Sequence, residues 1–434
     1  MARAAAIGLL LTIAVVLMGA SPTAQAQTYT PLHSFNGMDE NGLYAGLTMD
    51  AAGNLYGTTC YGGMNHSGTV FRLVPKNGSW VFSILYNFAG NSANDGACPS
   101  AKVIFGRDGA LYGTTNAGGG TQGCSNYYYG GCGTVFKLAP PPTLCRAISC
   151  FWVETVLYRF QGGTDGQQPT SEVTFDRSGT LYGTTYYGGG NYNNCTYGCG
   201  TVYKLSPSNG GWKESILYRF AEGDGALPYA GVILDSSGSL YGTTTSGGTN
   251  DGGTVFQLTP SGSGWTETVL LDLFFVQDTV GRNPFAGLIF DGSGNLYGAT
   301  GMTHRDGGGG GAVFELMPSS NGPWMHTVLY SFDGPGACGL PSGPLEALFM
   351  DAAGNLYGTT YCDGAYHYGS VFKLSPSDHG WVYTDLHDFS FSGGDGAYPI
   401  SNVVLDKNDN LYGTSQGGNP GCNSGCGVVW KITP

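Results

Sequence analysis

The pentapeptide Leu55-Tyr56-Gly57-Thr58-Thr59 is one copy of a recurring element. Its first three residues return at Leu111-Tyr112-Gly113, Leu181-Tyr182-Gly183, Leu240-Tyr241-Gly242, Leu296-Tyr297-Gly298, Leu356-Tyr357-Gly358 and Leu411-Tyr412-Gly413. Seven copies at intervals of 55 to 70 residues restrict the chain to a repeat architecture, in which one supersecondary unit buries its apolar faces against its neighbours.

Each copy sits in a larger unit. A short apolar run ending in Asp precedes it, as in Ala45 to Asp50, Ala230 to Asp235 and Ser401 to Asp406. A Gly-rich loop and a third run follow: Gly68 to Leu73, Gly133 to Leu138 and Gly253 to Leu258. A fourth run closes the unit, as in Trp212 to Phe220. All four runs are short, alternating and rich in Val, Ile, Thr, Tyr and Phe, with Gly, Asn, Asp, Ser and Pro between them. These are strand and turn signals, and none has the 3.6-residue period of a helix. Four antiparallel strands per unit, seven times, predict an all-β fold, a seven-bladed β-propeller.

The units are circularly shifted. Tyr29 to Phe35 matches the fourth run but stands before the first unit, and the last unit ends at its third run, Gly427 to Ile432. Velcro closure by the N-terminal strand is expected, with residues 29–35 as the outer strand of the blade whose other three strands are C-terminal. Such pairing satisfies edge groups that would otherwise stay open.

The first 26 residues read as a signal peptide. Arg3 is a positive n-region, Ala4 to Met18 is an apolar core, and Ala24-Gln25-Ala26 is a small-x-small cleavage site. Residues 27–434 are then one propeller domain, expected to be secreted or periplasmic, monomeric and without a membrane span. A formal charge of -13 argues against nucleic acid as a partner.

The loops sort by face. Tight turns such as Asp50 to Asn54 and Asp291 to Asn295 suit one plain face, because Asp bonds its own backbone and Gly reaches positive φ. The long links fall on the other face: 116–131, 186–198, and blade-to-blade loops carrying Asp95-Gly96, Asp165-Gly166, Asp224-Gly225 and Asp395-Gly396. Variable loops on a rigid scaffold are where binding resides. Twelve cysteines in an exported chain imply disulfides. Position in the blades pairs them locally: Cys60–Cys98, Cys124–Cys132, Cys145–Cys150, Cys195–Cys199, Cys338–Cys362 and Cys422–Cys426. The Cys195-x-x-x-Cys199 spacing lacks the further ligands of a zinc site.

The units resemble the GloVer-type tandem repeat family of exported bacterial β-propeller-like proteins. Asn54 to Thr59, Gly62-Gly63 and Gly68 to Leu73 carry the likeness, with six further copies covering residues 28–434. Departures are Gly298-Ala299-Thr300, Gly311-Ala312-Val313, and Gly106 where the other units have Asp. The resemblance implies a signal peptide and supplies no catalytic residues.

Tyrosine is the functional hint. Of 28 in the chain, Tyr61, Tyr127, Tyr128, Tyr129, Tyr186, Tyr192, Tyr197, Tyr361, Tyr366 and Tyr368 fall in loops of the variable face, beside His367. Exposed rings with Asn, Asp and Gly between them stack on sugars or anchor a protein partner. The tyrosine of Leu-Tyr-Gly, present in every blade, reads as inter-blade packing. His66, His304 and His367, with Asp306 and Asp363, are acid–base or metal candidates, but their spacing shows no convergence and solvated loop histidines are the preferred reading. The four Asp-Gly pairs could ligate Ca²⁺, although carboxylates fifty-odd residues apart are not a clustered ligand loop. No other cofactor is expected. The inner strands place Gly46, Gly231, Gly287 and Ala347 at one small position, with Lys102, Glu172 and Asn402 there in the other blades. The expected function is a secreted binding module for a glycan or protein surface. A carbohydrate hydrolase or lyase on the same face, and a structural cell-envelope protein, are the alternatives.

Overall fold

The computed structural model describes residues 27–36, 40–124, 129–141, 151–191, 195–274, 280–302, 310–320, 322–332, 343–419 and 426–433. The expected signal peptide, 1–26, lies outside them. Seven four-stranded antiparallel sheets form the blades of a propeller. In blade 1 the strands run outward as Thr48–Met49, Leu55–Thr59, Thr69–Lys76 and Ser79–Asn87. Blades 2 to 6 repeat this order with inner strands Ile104–Phe105, Thr174–Phe175, Ile233–Leu234, Ile289–Phe290 and Phe349–Met350. Blade 7 contains Val404–Leu405, Leu411–Asn419 and Cys426–Thr433. Its outermost strand is Thr28–Ser34, paired from Thr28↔Thr433 to Ser34↔Val428.

The repeat motif is explained by packing. The Gly of Leu-Tyr-Gly makes room for the aromatic ring of the third strand: a Cβ at Gly113 would lie 2.8 Å from Phe136 Cζ. The Gly before the third strand, such as Gly68 at φ +95°, meets the proline that enters the next blade, and a Cβ there would sit 2.6 Å from Pro99 Cδ. That backbone conformation also favours glycine. The leucines, valines and phenylalanines form seven buried clusters, one at each blade–blade interface. The Leu-Tyr-Gly tyrosines join these clusters. Tyr56 is edge-on to Phe105 of the next blade at 5.1 Å, and Tyr241 to Phe290 at 5.2 Å.

The two threonines of the motif have separate tasks. The first donates across the interface: Thr58 to Ala101 O, Thr114 to Ser171 O, Thr184 to Ala230 O, Thr243 to Ala286 O and Thr359 to Ser401 O. Thr414 closes the ring by donating to Ala45 O of blade 1 at 2.9 Å. The second threonine pairs within its blade, as Thr59 does with Thr69 at 2.8 Å. Blade 5 has Ala299 in the first position, so this bond is missing where it faces blade 6.

On the long-loop face the links are more ordered than loop composition implies. Glu40–Asn41 pairs with Tyr61–Gly62, Gly96–Ala97 with Ala117–Gly118, and Gly166–Gln167 with Tyr187–Gly188. Bridges Ala226↔Ser246, Arg282↔Met302 and Ala397↔Gly417 repeat the arrangement in blades 4, 5 and 7. In blades 1 to 4 and 7 the Gly-Gly that follows the motif lies where the second strand is extended onto the incoming link. Disulfides Cys60–Cys98, Cys124–Cys132 and Cys195–Cys199 are formed as expected. Cys362 and Cys426 are also disulfide-bonded, while Cys145, Cys150, Cys338 and Cys422 lie outside the described residues. No helix among the described residues is long and apolar enough to cross a membrane.

Candidate functional site

Each inner strand is entered through one residue that the fold holds in place. In five blades it is a non-glycine residue in the left-handed region followed by proline: Cys98, Gln168, Leu227, Asn283 and Tyr398, with φ between 53° and 59°. Such residues cost roughly 1–2 kcal/mol each in that conformation. Two backbone hydrogen bonds fix them. The Leu227 N–H donates to Cys199 O of the preceding blade at 2.8 Å, and Leu227 O accepts from Thr245 at 3.1 Å. The residue after the proline is thereby set at the mouth of the axial channel. Around the ring these residues are Ser100, Thr170, Tyr229, Phe285, Leu345 and Ile400, with Tyr44 at the matching place in blade 1.

Tyr44, Tyr229, Phe285, Leu345, Glu346, Tyr361, Ile400 and Gln416 enclose a cavity of about 270 Å³. Three chains of aromatic rings lead into it. Tyr129, Tyr61 and Tyr44 follow at 6.0 Å centroid spacings. Tyr197, Tyr187, Tyr186, Tyr229 and Phe285 follow at 5.4, 4.6, 5.8 and 5.5 Å. Phe391, Tyr368, Tyr398 and Tyr361 follow at 5.3, 5.5 and 5.2 Å. Burial, and then the hydrogen-bonded Tyr61, hold the Tyr44 hydroxyl well above the usual tyrosine range, with Tyr229 and Tyr361 adding to the shift.

The channel beneath is charged. Lys102 Nζ and Glu172 Oε1 pair at 3.0 Å, with 24% and 29% of their side-chain surfaces accessible. They stand two residues before the inner strands Ile104–Phe105 and Thr174–Phe175 and are buried by the surrounding blades. Burial opposes both charges, but each partner outweighs it: the Lys102 ammonium is held above its usual range and the Glu172 carboxyl below its own. Glu346 has no such partner. Burial, then the Glu172 carboxylate, push it up to about 8, only partly offset by Lys102 and by the Ala347 N–H. In blade 7 Asn402, 9% exposed, leaves its Oδ1 without a hydrogen-bond partner among the described residues. That oxygen leans over Gly46, where any Cβ would collide with it.

The sequence-derived site residues divide accordingly. Tyr61, Tyr129, Tyr186, Tyr197, Tyr361 and Tyr368 are brought together in the three chains. Tyr366 is 57% exposed and has no place in them. His66 and His367 occupy exposed turns at φ 53° and 60°. Tyr127, Tyr128, Tyr192, His304 and Asp306 lie outside the described residues. Among the described residues no group of three or more His, Cys, Asp or Glu is gathered as a metal site. The Asp-Gly carboxylates act as clasps. Asp95 accepts from Tyr86 Oη and Ala89 N, Asp165 from Tyr158 and Gln161, and Asp224 from Tyr218 and Ala221. Asp395 meets His387 Nε2 at 2.7 Å.

Sequence reasoning missed Tyr44, Tyr229, Phe285 and Glu346. Their signal was present: Tyr44, Tyr229 and Phe285 each stand two residues before the small inner-strand glycine, at Gly46, Gly231 and Gly287. A larger groove of about 850 Å³ opens on the plain face between blades 6 and 7. Its Asp351 is already engaged by Ala353, Asn355 and Tyr357, so it offers little to a ligand.

Fold and site together define a seven-bladed propeller with an aromatic-lined axial mouth. The chain belongs to the Gloeobacter/Verrucomicrobia repeat family, whose description matches residues 20–196, 124–345 and 301–434. No curated protein matches it. Among solved structures, a putative 6-phosphogluconolactonase from Bacteroides uniformis is 14% identical, with a TM-score of 0.47, over 80% of this chain and 84% of that one. A putative oxidoreductase (glucose dehydrogenase) from Thermus thermophilus is 14% identical, with a TM-score of 0.42, over 94% and 100%.

Proposed function

We propose that the protein is an exported binding module that seats a glycan over the axial mouth of its long-loop face. The convergence of three aromatic chains on one cavity is the observation that carries this reading. Aromatic faces stack on the apolar faces of sugar rings, and tyrosine hydroxyls bond their hydroxyls. The cavity is concave and just below the roughly 300–1,000 Å³ range of small-molecule sites. A protein partner would instead need roughly 800 Å² of surface on each side. Three disulfides fit an oxidising compartment.

One observation favours the hydrolase reading as a second choice. Glu172 and Glu346 share one channel with shifts of opposite sign, the pattern that separates an acid from a base. A glycan-array screen of disulfide-intact residues 27–434, with product analysis of every hit, tests both readings. Binding without cleavage that is lost in Tyr229→Ala and Tyr361→Ala supports the module. Cleavage replaces it with the hydrolase. No binding across the array overturns both.

A further inference from the structure

We infer that the axial cavity takes an organic cation, the ammonium of an amino sugar, held against Glu346 within a cage of Tyr44, Tyr229, Phe285 and Tyr361. This rests on the glycan reading only for the scaffold that carries the ammonium.

The inventory of the site leads there. The charged donor in the channel, Lys102, is committed to Glu172 at 3.0 Å. What is left over is acceptor capacity: the two oxygens of the Glu346 carboxyl, which lines the cavity. A ligand that satisfies them must bring donors. A ligand carboxylate would meet Glu172 and Glu346 without a free cation to receive it.

The walls agree. Aromatic rings around a carboxyl are the arrangement that recognises alkylammonium groups, because each ring presents the negative face of its quadrupole. A cavity of about 270 Å³ suits one such group with the ring that bears it. The chain carries 30 acidic against 17 basic residues, a field that draws cations in. A metal ion fits less well, since calcium needs six to eight oxygen ligands and the described residues gather no such cluster.

Protonation supports the same assignment. Glu346 sits at about 8 because burial and Glu172 disfavour its charge. An arriving ammonium supplies the missing counter-charge, so binding expels the Glu346 proton below that pH. The groups facing Glu346 are Lys102 and Glu172 from blades 2 and 3, Tyr44 and Tyr229 from blades 1 and 4, and Tyr361 of its own blade. Lys102 and Glu172 are already ionised as a pair. Tyr44 and Tyr361 are held above the usual tyrosine range, which leaves Glu346 as the group that responds near neutrality.

Titration calorimetry on the disulfide-intact protein tests this with three probes: glucosamine hexaose, N-acetylglucosamine hexaose and choline chloride. At pH 6.5, where its amines carry protons, the deacetylated oligomer is expected to bind at least tenfold more tightly than the acetylated one, with choline competing. The affinity of choline, whose charge does not titrate, should fall as the pH is lowered from 8 to 6. Glu346→Gln keeps the shape and the neutral charge state of the empty site, so it should fold normally, retain weak neutral binding and lose the preference. Tyr361→Leu is the second variant and should lose choline binding. Equal or tighter binding of the acetylated oligomer, or an unchanged preference in Glu346→Gln, overturns the cation assignment and leaves the glycan reading standing. Choline binding with no oligomer binding does the reverse. No binding of any probe overturns both.

Discussion

The Tyr112 hydroxyl donates to Asp108 Oδ2 at 3.0 Å across four residues, whereas Tyr56 reaches Asp50 Oδ2 at 3.1 Å across six. The same six-residue bond joins Tyr182 to Asp176, Tyr241 to Asp235, Tyr357 to Asp351 and Tyr412 to Asp406. Blade 2 has Gly106 at the usual aspartate position, and a Cβ there would crowd both Asp108 Oδ1 and the Tyr112 ring. Asp108 thus takes over the role, joined by Lys137 Nζ at 2.6 Å. The irregular glycine and the displaced acid are one compensated change.

A double-mutant cycle checks that account. Tyr112→Phe should cost about 1 kcal/mol, the usual worth of one hydrogen bond, and Asp108→Ala more, since it also loses Lys137 and the Ala110 N–H. Together they should cost less than the sum, since both remove the same bond. Additive costs in urea unfolding would mean that Asp108 does not serve Tyr112.

Ala299 makes a prediction of opposite sign. Thr114→Val removes the donor to the buried Ser171 carbonyl at 2.8 Å and should destabilise by about 1–3 kcal/mol. Ala299→Thr supplies the donor that blade 5 lacks, toward blade 6, and should stabilise by about 0.5–1.5 kcal/mol. Thermal melts of the two variants should move in opposite directions.

Removing residues 27–36 should leave the edge of Cys426–Thr433 unpaired and strip Tyr29 from its stack on His387, at 4.3 Å. Open edges template association. The truncated protein should melt earlier and elute as larger species in size-exclusion chromatography. A monomer of unchanged melting temperature would show that the strand is dispensable.

Stability should peak in mildly acid solution. Burial, then the nearby Asp95, Asp165 and Asp224, push Glu154 up to about 8 and Glu214 and Glu267 to about 7, from an ordinary 4.5. Between about 4.5 and 8 the folded state holds protons that the unfolded state has lost, so stability falls as pH rises through that window. Asp50, Asp235 and Asp406 are the reverse case. Burial opposes their charge, but hydrogen bonds from Asn54, Ser237 and Asn410 outweigh it and hold them low. Their contribution is lost as pH drops below about 4. Melting temperatures from pH 3 to 9 should be highest near 4–5. The triple variant Glu154→Gln, Glu214→Gln, Glu267→Gln should flatten the alkaline limb.

The blades were legible in the sequence because every copy repeats the same local requirements. Glycines 57 and 68, the threonine pair and the turn aspartate each meet the matching partner in blade after blade, so repetition exposes them. The mouth was legible only in part. Tyr61 and Tyr186 stand out as exposed loop tyrosines, but Tyr44, Tyr229 and Phe285 sit at the head of strands that otherwise read as core. Glu346 was hidden for a different reason. It stands one position before the tier that contains Lys102 and Glu172, and only the closed ring brings blades 2, 3 and 6 to one axis.

The most direct test of the central claim is saturation-transfer NMR with a glycan hit from the array, comparing wild type with Tyr44→Ala, Tyr229→Ala and the control Tyr366→Ala. The account predicts strong transfer to sugar ring protons in wild type and in Tyr366→Ala, and at least a tenfold loss of affinity in the two mouth variants. Undiminished binding in both mouth variants would place the ligand elsewhere and contradict the account.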